Sequence, residues 1–491
     1  MPEQILYEST NRDLTLEQLL RIKNIDPNIK GPFTDRVSFT DAIIQGQAPD
    51  TGLFVPARFP EITLEEIASL KGKPFSDAAY LVFRKFLTEE EISNADLRKL
   101  VDETYNFEYP LVHLNDRNYL LMHTMSPTGD FKNTGARANS RFLSYTRPAG
   151  MNFIRITSTS GDTGGAVGLA DYNVPGLISI ILYPKGHISK VQEDIIRKIG
   201  GNVIAIAVEN VMFSECQDGM AKPALADNEL RRELAIKYNL GLTSGNSINW
   251  GRVMPQIVHY VYAYAQMAEP VGEPVIFSTP LGNMGHGLAG EMARRMDLPV
   301  FSVWPTNEND PFPRYMESGV YRPLADEEQN KECKSNSMIV KNPSNLARLF
   351  YFFGGQADKD GNVNKEPRLD KIKEHIYSTR VSMQQEDDTI KFIYNTFGVI
   401  IDPHGACGVK GLIRYLHQEK IPSNILTITQ ITANPYKYKD HIKSLIGVEP
   451  EKPEAYKWFD DRKLTGITMP FGYKNFRDLI LAIAREKSST E

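Results

Sequence analysis

The feature that most limits what this chain can fold into is an alternation that begins near residue 150. Segments 152–157, 177–184 and 202–208 are short runs of apolar and β-branched residues. Between them, 166–172 and 188–199 have helical spacing, the second ending at Gly200-Gly201, and 213–227 fits a further helix. The rhythm returns at 274–279, 288–296 and 300–303. Strands alternating with helices build βαβ units, and such units form parallel sheet. The expected class is therefore α/β. At 491 residues, 41% hydrophobic and 24% charged, the chain suits roughly two to four structural units, although large α/β enzymes break that rule.

The segment before the alternation reads differently. Residues 14–25 and 89–105 are rich in Leu, Glu and Lys and predict helices. Residues 37–46 predict a short capped helix closed by Gly46, and 49–56 a turn into a short strand. We expect a mostly helical N-terminal domain over 1–105. The catalytic region then spans 106–491, with a smaller lobe at about 150–240 inserted in a larger one. An apolar, tyrosine-rich helix is expected at 253–267, with its tyrosines packed in the core, and an irregular stretch at 305–370.

Charge and cysteine usage exclude several classes. The net charge of −5 argues against nucleic acid and against a polybasic membrane anchor. The three cysteines, Cys216, Cys333 and Cys407, are far apart with no CxxC pair, so neither a zinc knuckle nor a disulfide framework is indicated. The N-terminal residues lack the basic and apolar regions of a signal peptide, and no apolar run has transmembrane length. The expectation is a soluble cytoplasmic protein that is a monomer or a homodimer.

Chemistry concentrates in four segments. In 126–135, Lys132 stands among turn residues, glycines and short hydrogen-bonding side chains, directly after Phe131. A lysine partly withdrawn from water can form a Schiff base with an aldehyde; the plainer reading is a loop lysine at a helix start. The loop 281–287, containing Gly282, Asn283, Met284 and Gly285, lies between a strand and a helix. Such a loop directs backbone N–H groups at an anion, unless its glycines serve only a tight turn. It carries no Walker lysine and its spacing is not the dinucleotide fingerprint. The loop 158–165, with Ser160, Asp162 and Thr163, offers hydroxyls and amides at a strand end, where open α/β sheets bind ligands; a simple capped loop is the alternative. Finally 246–252, with Ser247, Asn249 and Arg252, suits a phosphate or a carboxylate. Phosphate-type loops, a candidate Schiff-base lysine and no nucleotide motif point to pyridoxal 5′-phosphate.

These segments, in this order, resemble the threonine synthase family of fold type II pyridoxal-phosphate enzymes. The resemblance also covers 37–39, 48–53, Asn342-Pro343-Ser344-Asn345, Asp402-Pro403-His404 and Thr432-Ala433-Asn434-Pro435. It implies a tryptophan synthase β-like fold of two open α/β lobes beside the helical N-terminal domain. The reaction it implies converts O-phosphohomoserine and water to threonine and phosphate. Alternatives on the same scaffold are elimination from O-phosphothreonine or O-phosphoserine, γ-replacement by another nucleophile, and an idle metabolite-binding paralogue.

The resemblance also implies roles. Lys132 would hold the cofactor and later move protons. Phe131 would lie near the ring, Asp162 near its 3-hydroxyl, and Thr432 at the pyridine nitrogen. Gly282, Asn283, Met284 and Gly285 would bind the cofactor phosphate. Ser160 and Thr163 would hold the substrate carboxylate or the cofactor. Ser247, Asn249 and Arg252 would hold the substrate phosphate. The chain departs from the usual family pattern around the lysine, with Asn133 where Asp is common and Asp130 where a small or apolar residue is common. His286 and His404, both near glycines, read as structural.

Overall fold

The computed structural model describes residues 3–488. The chain divides into two compact units. The first comprises Met1–Leu6, Pro56–Thr134 and Val253–Tyr456, and the second Tyr7–Val55, Gly135–Arg252 and Lys457–Glu491. Residues 1–105 therefore do not stay together: the segment from Tyr7 to Val55 joins the second unit and the rest joins the first.

The first unit is built on a six-stranded sheet. Its strands run in the order Ile376–Arg380, Val300–Thr306, Val275–Ser278, Leu426–Ile431, Asn118–Met122 and Leu111–Asn115. All neighbours are parallel except the last pair, which is antiparallel. Parallel strands need cover on both faces. Here Phe277, Val303, Ile428 and Ile431 are buried, with Tyr260 against Phe277 and Ala406 in one cluster with Ile431. The helix Phe75–Phe86 packs on the helix Ile257–Met267 of the same unit.

The second unit carries a five-stranded, fully parallel sheet in the order Ile467–Pro470, Val203–Glu209, Leu177–Pro184, Asn152–Ser158 and Leu240–Ser244. Leu177–Pro184 is buried at every position, as a central parallel strand requires. The expected α/β class holds in both units.

Local sequence explains most boundaries. The helix Phe39–Gln45 starts at Ser38, whose side chain accepts the Asp41 N–H, and stops at Gly46 with φ 71°. The helix expected at 253–267 is interrupted: Trp250–Val253 leads into a 3₁₀ turn, Met254–Gln256, and only then into Ile257–Met267. Pro255 lacks the N–H that a continuous helix would use. The tyrosines of that helix do enter the core, Tyr260 and Tyr264 being fully buried. Around residue 20 only Leu16–Leu20 is helical, shorter than its composition suggests. Among the described residues no helix is long and apolar enough to cross a membrane.

Candidate active site

Three segments of the first unit leave the carboxyl ends of three neighbouring parallel strands. Asn118–Met122 leads to the lysine loop, Leu426–Ile431 to Thr432, and Val275–Ser278 to the loop 279–284. Carboxyl ends of adjacent parallel strands are where open α/β sheets collect ligands.

The lysine loop is stitched to the segment after Leu426–Ile431. The His123 N–H donates to Ile431 O (3.0 Å), the Phe131 N–H to Thr432 O (3.1 Å) and the Asn434 N–H to Gly129 O (2.7 Å). Tyr456 Oη donates to Thr128 O at 2.9 Å. Gly129, at φ 63°, has no room for a side chain: a methyl group there would lie 2.7 Å from Tyr456 Oη and 2.8 Å from Asn434 Cβ. Thr432 is consequently buried directly beside Phe131.

The loop then passes into the helix Lys132–Thr146, with Lys132 as its first residue. Asp130 holds this start. Its Oδ1 accepts the Lys132 N–H at 3.0 Å, and its Oδ2 accepts from Thr128 Oγ1 at 3.0 Å and from Lys437 Nζ at 2.7 Å. The Asp130–Lys437 ion pair is almost wholly buried. Asn133 Nδ2 donates to Thr128 Oγ1 (2.6 Å) and to Ser126 Oγ (3.1 Å). The two departures from the family pattern thus belong to one hydrogen-bonded frame beneath the lysine. The Lys132 amine lies 4.9 Å from the Phe131 ring centre and donates to Ser337 Oγ at 3.4 Å.

The glycine loop begins a helix earlier than expected, at Gly285–Arg295. Met284 is its N-cap at φ 63° and makes no side-chain cap. The first intrahelical bond is Leu288 N–H to Met284 O, so the amides before Leu288 are turned toward the loop. Gly282 is required by close approach: a methyl group there would lie 2.4 Å from Ser337 O. Asn283 does not point into open space. Its Oδ1 accepts from the Ser344 N–H and hydroxyl, and its carbonyl accepts from Asn345 Nδ2 at 3.0 Å. Asn345 is in turn held by buried Arg348, whose Nη1 donates to Asn345 Oδ1 at 2.6 Å.

His286, the second residue of that helix, stacks flat on Phe131, with ring centres 4.5 Å apart and an interplanar angle of 8°. It also joins a buried trio with His123 and His259. His286 Nε2 bonds His259 Nδ1 at 2.9 Å, His259 Nε2 bonds Thr134 Oγ1 at 2.7 Å, and His123 Nε2 bonds Gln430 Oε1 at 2.6 Å. Burial drives the His123 pKa down to about 4 and those of His259 and His286 well below the ordinary value, so all three imidazoles are neutral. Hydrogen bonds to one another, to Thr134 and to Gln430 already engage four of the six ring nitrogens, and the trio packs as a floor beneath Phe131, next to Lys132.

A pyridoxal phosphate fits this unit. A partly buried primary amine stands at a helix start, and a glycine loop opens a second helix with no side chain capping its amides. The Phe131–His286 stack and Ser337 join the two.

The second unit holds the other candidates. The helix expected at 166–172 extends back to Asp162, which becomes its first residue after Gly161 at φ 136°. Asp162 is buried, and its Oδ1 accepts from Gln192 Nε2 at 2.8 Å. Ser160 and Thr163 are half-buried on either side. In the loop after Leu240–Ser244, Ser247 is half-buried, whereas Asn249 and Arg252 are buried. Asn249 Nδ2 donates to Ile43 O at 2.9 Å and its Oδ1 accepts the Gly251 N–H at 2.9 Å, so this side chain shapes the loop. The Arg252 guanidinium donates to Gly245 O.

Residues 31–105 match the family described as threonine synthase N terminus. The threonine synthase of Haemophilus influenzae is 31% identical over 455 residues, covering 92% of this chain and 99% of the relative. The chain belongs to the threonine synthase family. The Escherichia coli threonine synthase is 30% identical over 91% of this chain and 97% of its own length. Among solved structures, the pyridoxal-phosphate-bound threonine synthase of Brucella melitensis superposes with a TM-score of 0.83, at 29% identity, over 98% of this chain and all of that one. The threonine synthase fold thus covers 98% of this chain, and the fold type II architecture expected from sequence is the one found.

Sequence reasoning missed two parts of this site. Ser337 lies in the stretch 305–370, which has no periodicity to mark it. The histidine floor draws on three separate elements, and nothing in the spacing of His123, His259 and His286 signals that they meet.

Proposed function

We propose that this protein is a pyridoxal-phosphate-dependent threonine synthase, a carbon–oxygen lyase that converts O-phosphohomoserine and water to threonine and phosphate. The observation that carries this reading is the convergence of Lys132, Thr432 and the Gly282–Gly285 loop at the carboxyl ends of three adjacent parallel strands. Family membership supports it along the chain. Bound pyridoxal phosphate supplies an aldehyde for the amine and an electron sink conjugated with the substrate Cα.

The chain's own residues do the rest. Lys132 would hold the cofactor through its amine, and that amine, once free, would take and return the proton at the substrate Cα. Gly282, Met284 and Gly285 present backbone amides to the cofactor phosphate, which the positive end of the helix Gly285–Arg295 favours. Asn283 secures that loop from behind. Phe131 lies along the ring. Thr432 would offer the pyridine nitrogen a neutral hydroxyl partner in place of a carboxylate. Asp162 serves the 3-hydroxyl, and Ser160 and Thr163 the substrate carboxylate. Ser247 and Arg252 take the substrate phosphate, Asn249 keeping their loop in shape. The substrate is a small phosphorylated amino acid, the setting is cytoplasmic, and the protein acts as a monomer or homodimer.

The test is a product assay on cofactor-loaded protein with O-phosphohomoserine, following phosphate release and identifying the amino acid by mass. Phosphate with threonine is expected. Lys132→Ala should lose both the absorbance of the lysine-bound cofactor and threonine formation. Turnover only of O-phosphothreonine or O-phosphoserine, or continued threonine formation by Lys132→Ala, would overturn the reading.

A further inference from the structure

Ser337 sits where three parts of the first unit meet. Its Oγ accepts from Lys132 Nζ at 3.4 Å. Its carbonyl oxygen lies against the Cα of Gly282 so closely that a methyl group there would be 2.4 Å away. Its N–H donates to His404 Nε2 at 3.2 Å. The residue belongs to a 3₁₀ turn, Asn336–Met338. Neighbouring side chains fix that turn: Tyr438 Oη donates to Asn336 Oδ1 at 2.9 Å, and Asn307 Nδ2 donates to Ser335 Oγ at 3.0 Å.

The bond to His404 defines a tautomer. A nitrogen that accepts the Ser337 N–H carries no proton, so the proton of neutral His404 is on Nδ1. That nitrogen lies 2.7 Å from Asp402 Oδ2. Asp402 is fully buried and is the N-cap of the helix Pro403–Gln418, accepting the His404 and Gly405 N–H groups. A rigid helix start therefore orients an imidazole, the imidazole holds a backbone amide, and that residue's hydroxyl faces the lysine.

We propose that Ser337 is a catalytic residue of the reaction above and that His404 and Asp402 position it. The hydroxyl accepts a hydrogen bond from Lys132 Nζ whenever the amine is free of the cofactor, and fixes where its lone pair or proton points. No proton leaves the nitrogen in this contact. The same residue sets the spacing between the amine and the phosphate loop through its carbonyl at Gly282. The inference rests on Lys132 being the cofactor lysine.

The test uses the full chain with Ser337→Ala, Ser337→Thr and Asp402→Asn. Asn is also a good N-cap, so Asp402→Asn keeps the helix start while offering His404 Nδ1 a donor instead of an acceptor. Borohydride trapping and peptide mapping of the wild type first establish whether the cofactor is on Lys132. The rate at which apoprotein captures added pyridoxal phosphate is then measured against pH. In Ser337→Ala the midpoint should move to lower pH by about half a unit or more, because the charged amine has lost a hydrogen-bond acceptor. Its kcat should fall about tenfold with KM little changed, the pattern of a group that acts on the reacting amine. Ser337→Thr should restore both, and Asp402→Asn should reproduce part of the loss. Trapping on Lys132 with an unmoved midpoint and kcat in Ser337→Ala would overturn this inference alone. Trapping elsewhere would overturn the cofactor reading and this inference with it.

Discussion

At the residue scale, the lysine loop shows how a buried charge can be tolerated. Asp130 and Lys437 are 0% and 1% exposed at their side chains and 2.7 Å apart. Both side chains are shut off from bulk solvent, so each depends on the other, and Asp130 also accepts from Thr128 Oγ1 and the Lys132 N–H. Asp130→Ala would leave the Lys437 ammonium buried without this carboxylate, a loss of ~3–5 kcal/mol. Removing both charges with Asp130→Ala and Lys437→Met should cost less than the sum of the single changes. Urea unfolding of the four proteins checks this, and additive losses would refute the coupling. Arg252 poses a different question, since its guanidinium is buried and bonded to Gly245 O. If it also takes the substrate phosphate, Arg252→Ala should weaken substrate binding by ~1.5–3 kcal/mol while cofactor occupancy is kept. Unchanged kinetics on O-phosphohomoserine would remove it from the phosphate site.

At the scale of elements, strands and side-chain-capped helix starts were legible, and the starts of the two helices that open in glycine-rich loops were not. Residues 177–184 predict a strand, and Leu177–Pro184 is one, because a central parallel strand is a continuous apolar run with turn residues at both ends. The helices Asp162–Asp171 and Gly285–Arg295 begin several residues before their apolar spacing does. Glycines at those starts read as loop, yet each is there because a helix packs tightly. A methyl group at Gly164 would meet Thr159 Cγ2 at 2.6 Å, and one at Gly287 would meet Leu281 Cδ2 at 2.6 Å. Tertiary packing thus overrides a poor local propensity. Gly282→Ala follows the same logic, with Ser337 O only 2.4 Å from the added carbon. Backbone cannot yield like a flexible side chain, so the loop must shift, at a cost of ~1–3 kcal/mol. Cofactor affinity, measured by equilibrium dialysis, should fall about tenfold or more if that shift is felt at the phosphate. Wild-type affinity in Gly282→Ala would show that the loop's position is not what holds the phosphate.

At the scale of the whole molecule, what the sequence hides is how separated segments combine. The four chemical segments were each visible through glycines, hydroxyls and a lone lysine. Their grouping was not, because residues 7–55, 135–252 and 457–491 form one unit while residues 1–6, 56–134 and 253–456 form the other. The histidine floor has the same origin, and it gives the molecule a pH dependence. Burial comes first among the causes that lower the pKa values of His123, His259 and His286, followed by the mutual repulsion of the trio for the latter two. The Lys132 ammonium adds to the repulsion at His286, while Gln430 partly offsets the burial of His123. A base whose folded pKa is depressed binds fewer protons when folded than when unfolded. Stability is then complete above the unfolded pKa, near 6.5, and falls as the pH drops toward the folded value, which for His123 is about 4. At pH 5 the penalty from His123 alone is about 2 kcal/mol. A His123→Leu variant loses this titration and also the repulsion that His123 exerts on His259 and His286, so acid costs it less stability. Unfolding free energies of the two proteins at pH 7.5 and pH 5 should therefore diverge, the wild type losing about 2 kcal/mol more. Parallel losses would mean that His123 takes up its proton in the folded protein as readily as in the unfolded chain, and that the floor under Lys132 is open to water.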